Sequence, residues 1–125
     1  MATVLLYNIE KSKAIKIKLL CRQFFIEAYE VPKEDYGKKL SFILGLSDDD
    51  SEEAFEDFGE EMLYLADIPD SFLPLFLNQL KRKKAPVSLK AVKTDVNISF
   101  TSAQLYSELV AEREAIAQGK RAHEQ

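Results

Sequence analysis

Two short stretches of the chain are apolar at consecutive positions, Val4-Leu-Leu-Tyr7 and Met62-Leu-Tyr-Leu-Ala66. Side chains on a strand alternate between faces, so a strand without a polar position must be covered on both sides. These two stretches therefore predict strands at the centre of a sheet. Two other stretches alternate, Ile26-Glu-Ala-Tyr-Glu-Val31 and Val87-Ser-Leu-Lys-Ala-Val92. One face of each meets a core and the other meets water, the pattern of an edge strand.

Between the first two strands Ile17, Leu20, Cys21 and Phe24 fall at helical spacing, with Lys11, Lys13, Lys16, Lys18 and Arg22 mainly off the stripe. Leu73, Phe76, Leu77 and Leu80 repeat the spacing between strands three and four, with Asp70 or Ser71 as the expected N-cap and Pro74 in the first turn. Lys81-Arg-Lys-Lys84 closes that helix and Ala85-Pro86 stops it. A weaker helix is predicted over 36–44, and Thr101-x-x-Gln104 reads as a capping box opening a last helix with Leu105, Leu109, Val110 and Ile116. That helix is expected to end near Gly119, so residues 1–118 form one α/β domain and 119–125 a disordered tail.

The resulting order, β-α-β-α-β-α-β-α, fits two architectures. One is a three-layer α/β/α sheet, all parallel, with strand order 2-1-3-4. The alternative is a ferredoxin-like α+β sheet of two duplicated β-α-β units, order 4-1-3-2, with an antiparallel third strand and an extra C-terminal helix. Laying Val4–Val31 over Met62–Val92 hints at such a duplication, with Ile9 matching Ile68. The helix between strands two and three favours the parallel version.

At 125 residues, 46% hydrophobic and 30% charged, the chain has the size and composition of a single folded domain. Its net charge of -4 argues against nucleic acid as a partner. No stretch approaches the ~20 apolar residues of a membrane-spanning helix, and no basic leader precedes the first strand. With a single cysteine, Cys21, the expected setting is cytoplasmic, without disulfides and without a membrane partner.

The chemistry-bearing residues are sparse. His123, the only histidine, falls in the expected tail, which removes a preorganised Ser-His-Asp or Cys-His arrangement. Cys21 lies on an apolar stripe, and the four glycines are too scattered for a phosphate loop. The acidic loop 47–60 fails the calcium-loop pattern. Counted from Asp48, the turn glycine would fall at Glu53 and the closing carboxylate at Gly59. It reads as a solvated loop, with Phe55 and Phe58 pinning it to the body. No cofactor or metal is predicted. The segment after the fourth strand is richer, because Thr94, Asp95 and Asn97 gather where parallel sheets bind ligands. Lys90 lies on the strand face opposite Leu89 and Ala91, so its charge needs water or a carboxylate.

Several motifs resemble an uncharacterised bacterial family, domain of unknown function 3783. They are Val4-Leu-Leu-Tyr-Asn8, Val31-Pro-x-x-Asp-Tyr-Gly37, Glu61-Met-Leu63, Leu89-Lys-Ala-Val92 with Thr94 and Asn97, and Leu105-Tyr-x-Glu-Leu109. The family pattern has leucine where Lys93 stands and tryptophan where Phe100 stands. The resemblance implies no activity, but it draws attention to Tyr36, Lys90, Thr94 and Asn97 as ligand-binding candidates. The expected function is a non-enzymatic binding or regulatory module, self-associating as a homodimer, that presents residues 93–100 to a small molecule or protein. Two alternatives stand beside it. One is an enzyme using carboxylates with Lys90 and Tyr36, and the other is an adaptor acting through the acidic loop.

Overall fold

The computed structural model describes residues 1–123, and side chains through Gly119. Strands form at Thr3–Tyr7 (β1), Glu27–Glu30 (β2), Met62–Ala66 (β3) and Leu89–Val92 (β4). Helices form at Lys11–Gln23 (α1), Leu40–Ile43 (α2), Leu73–Arg82 (α3) and Ser102–His123 (α4), with 3-10 turns at Lys33–Asp35 and Asn97–Ser99. The strand order is β2-β1-β3-β4, as the sequence predicts for the three-layer arrangement. The sheet is mixed rather than all-parallel. β1 pairs parallel with β2 and β3 with β4, while β1 and β3 run antiparallel with Leu5 opposite Tyr64.

A parallel third strand needs a crossover that carries the chain back along the whole sheet. The connection over residues 31–61 instead leaves β2 and re-enters the sheet at the same end, so β3 starts beside Tyr7 and runs antiparallel to β1.

Every residue of β3, and Val4 to Tyr7 of β1, is buried, as their unbroken apolar runs require. Val4, Leu6, Leu63 and Leu65 face α1 and α3, meeting Ile17, Leu20, Cys21, Phe76 and Leu80. Leu5, Tyr7, Met62 and Tyr64 face the other way, toward Tyr36, Leu40, Phe58 and Leu105. Each large side chain so buried contributes roughly 1.5–3 kcal/mol of transfer free energy.

The two β-α-β units share backbone detail. Asn8 after β1 and Asp67 after β3 have φ of 56° and 60°, and Phe25 after α1 and Lys84 after α3 have 58° and 55°. The same offset relates both pairs. The helix ends also close alike, with the Ile26 amide donating to Cys21 O at 2.8 Å and the Ala85 amide to Leu80 O at 3.0 Å. Such six-to-one closures satisfy the last carbonyls of a helix through one left-handed residue. The match between the Val4 and Met62 units is thus structural as well as sequential.

Capping differs from expectation at α3. Neither Asp70 nor Ser71 caps α3; Phe72 holds that position after a tight turn from Pro69 and makes no side-chain cap bond. At α1 the Glu10 carboxylate accepts from the Ser12 and Lys13 amides. The predicted box of α4 is present, with the Thr101 amide donating to Gln104 Oε1 at 2.8 Å and the Gln104 amide to Thr101 Oγ1 at 3.1 Å. α4 continues past Gly119, where it was expected to end, to His123. The remainder of the expected tail, 124–125, lies outside the described residues.

Candidate functional site

The four candidates do not form one site. Asn97 follows the C-terminal end of β4, near Leu65, whereas Tyr36 reaches the opposite end of the sheet. Its hydroxyl donates to Asn8 Oδ1 at 3.1 Å, and its ring is buried against Tyr7 and Phe58, with centroids at 5.3 and 4.9 Å. Burial holds the Tyr36 phenol protonated beyond its ordinary range.

Thr94 and Asn97 are brought together, but their polar atoms serve the loop itself. Asn97 Oδ1 accepts from the Tyr64 hydroxyl at 2.6 Å and the Thr94 amide at 2.8 Å. Asn97 Nδ2 donates to Val92 O at 3.0 Å, and the Asn97 amide donates to Thr94 Oγ1 at 2.9 Å. Lys90 is exposed, and its ammonium donates to Val87 O at 2.6 Å. No carboxylate approaches it within ion-pair distance among the described residues. With Val92, Phe100, Leu109 and Glu112, these three residues edge a recess of 410 Å³.

A larger recess, 740 Å³, opens between segment 53–59 and the start of α4. The acidic segment is strapped to the body rather than free in solvent. Lys39 pairs with Asp49 at 2.7 Å, Lys33 with Asp57 at 3.3 Å and Lys38 with Glu52 at 3.8 Å. The hydrogen bond to Lys39 lowers the Asp49 pKa to about 2. The Glu53 amide donates to Gly37 O at 3.0 Å, and a Cβ at Gly37 would stand 2.3 Å from Glu53 O. Glycine is required there by the close approach of two backbones.

Phe55 and Phe58 pin the segment, as the sequence suggests. Phe58 stacks on Tyr106 of α4 at 4.1 Å with 8° between rings, and Phe55 leans on Tyr36 at 6.1 Å. Next to them Glu60 accepts a forked pair of bonds from Arg113 and one from Ser88. The Arg113 guanidinium holds the Glu60 carboxyl below its usual range. The recess is lined by Glu53, Glu56, Asp57 and Glu108 beside these aromatic rings, and by no lysine or arginine among the described residues. Glu56 and Glu108 take part in no ion pair among the described residues. Tyr106 is the wall residue that the sequence reading passed over. The available signal was that Phe55 and Phe58 interrupt a polar run and so require an apolar partner.

Residues 61–116 match the model of a family described as Domain of unknown function (DUF3783). The chain resembles that family over β3, α3, β4 and most of α4. Val4–Asn8 and Val31–Gly37 lie outside the matched segment, as do Glu53, Glu56 and Asp57 of the larger recess, while its Glu108 lies inside. No curated protein and no solved structure matches the chain.

Proposed function

We propose that this chain is a non-enzymatic binding module, and that the recess between segment 53–59 and α4 receives a cationic segment of a partner protein. The observation that carries the reading is the lining of that recess: carboxylates and aromatic rings together, with no cation among the described lining residues. Carboxylates steer and register a positively charged chain, and an arginine or lysine over an aromatic face gains about 0.5–2 kcal/mol. In this reading the loop 93–100 is scaffold, because Thr94 and Asn97 spend their hydrogen bonds on Val92, Tyr64 and each other. The module works in the cytoplasm, where its single buried thiol needs no partner.

A labelled arginine- and lysine-rich peptide, titrated by fluorescence anisotropy, tests the proposal. Affinity should fall as salt rises. The double substitution Glu56→Gln, Glu108→Gln should weaken binding roughly tenfold, the equivalent of about 1.4 kcal/mol. Affinity indifferent to both salt and the double substitution would refute it.

A further inference from the structure

The layer formed by α1 and α3 has a charge of its own. Residues 11–25 carry five cations and 81–84 carry four, and neither 11–25 nor 71–86 contains a carboxylate. Two of these cations are occupied, Lys13 by Glu61 and Lys18 by Glu30. Lys11, Lys16, Arg22 and the run 81–84 remain exposed and in no ion pair among the described residues. Carboxylates begin only at the margins, with Glu10 before α1 and Asp70 before α3. The net charge of -4 therefore conceals a molecule with one basic layer and acid concentrated elsewhere.

Apolar side chains stand among these cations. Ile15 and Leu19 project from α1 and Leu75 from α3, each more than half exposed. Phe25 is 91% exposed in a left-handed conformation, where a lysine serves at the equivalent position after α3. Its neighbour Phe24 packs edge-on against Phe72, which ties Phe25 and the half-exposed Phe72 to one end of the layer. Lys16, Leu19, Gln23 and Lys83 border one depression, so cations and apolar groups share a surface.

We propose that the α1/α3 layer docks on an anionic lipid bilayer, going beyond the proposed recess and beyond an expectation of no membrane partner. Lysines and arginines are drawn to an anionic leaflet, and inserted apolar side chains add burial at the headgroup boundary. The docking proposed is peripheral, and among the described residues no helix is long and apolar enough to cross a membrane. A bilayer is favoured over nucleic acid because phosphate contacts need cations alone, while Phe25, Leu19 and Leu75 would stay in water against a duplex. The recess beside α4 lies across the sheet and would face away from the bilayer.

The test is co-flotation of the intact chain with vesicles of phosphatidylcholine, with and without one-third phosphatidylserine. Binding is expected only with phosphatidylserine, and it should disappear at high salt. Lys81→Gln with Lys83→Gln should weaken it roughly ten- to thirtyfold, and Phe25→Ser with Leu19→Ser should weaken it as well. Circular dichroism verifies that these surface variants fold. No flotation at low salt overturns the proposal, as does equal binding to both vesicle types or binding that both variants leave intact. Duplex DNA bound more tightly than the anionic vesicles, and equally by the Phe25→Ser, Leu19→Ser variant, would overturn it in favour of nucleic acid. Binding to the cationic peptide is read separately, so either proposal can fail while the other stands.

Discussion

The Asn97 side chain accepts two hydrogen bonds and donates a third, joining a buried strand tyrosine to the loop that leaves β4. Its replacement by alanine would strand the Tyr64 hydroxyl in a core that already opposes ionisation of that phenol. A buried group left without its partner costs about 1–3 kcal/mol. Asn97→Ala should therefore lower the unfolding free energy from a urea titration by an amount in that range with no ligand present, seen as a lower midpoint. An unchanged midpoint would show that the loop holds itself without this side chain. The sequence offers Asn97 as a ligand-binding candidate, and asparagine and threonine three residues apart close loops as readily as they bind ligands. What it could not supply was the acceptor's partner, because Tyr64 is far away in sequence and reads there simply as part of an apolar run.

At the scale of elements, the acidic strap shows how pairing alters what a sequence pattern means. Its carboxylates would repel one another in an extended loop, yet Asp49 is held by Lys39 and Glu60 by Arg113. Both acids have lower pKa values folded than unfolded, so the unfolded chain takes up protons first as pH falls. Their contribution is complete above the ordinary carboxylate range, near 4, and is lost toward about 2 for Asp49. Between those limits the strap should loosen before the core melts. Near-ultraviolet circular dichroism of the stacked Phe58–Tyr106 pair should change at higher pH than the far-ultraviolet signal. Coincident transitions would mean the strap and the core unfold as one unit. The cap of α3 carries the complementary lesson. Asp70 and Ser71 are good capping residues, but the turn from Pro69 places Phe72 at the helix start, and local propensity yields to the turn.

The whole molecule is two β-α-β units joined across β1 and β3. Only the second unit, with α4, falls in the segment 61–116 that matches a family. Inside this chain Leu63, Tyr64 and Leu65 are covered partly by the first unit, and β3 is hydrogen-bonded to β1 along its whole length. The isolated fragment 61–116 would expose that edge and the apolar faces beside it. It should lack a cooperative monomeric unfolding transition, either remaining unfolded or associating through β3. A fragment that sediments as a monomer and melts cooperatively would show that the second unit carries a sufficient core.

The sequence by itself determined which residues are inside and in what order the elements come. Burial on both faces is written in consecutive apolar positions, and helical stripes in the spacing of Ile17 to Phe24 and Leu73 to Leu80. These are local periodicities, fixed by the geometry of strand and helix; they put β1 and β3 at the centre of the sheet but left two strand orders open. Only the tertiary structure decided the direction of β3, because the connection over residues 31–61 is long enough for either direction. It also decided where the acidic segment lies, and that the cations of α1 and α3 share one layer. Those outcomes rest on contacts between residues distant in the chain, and a pattern read along the chain carries no information on which distant groups will meet.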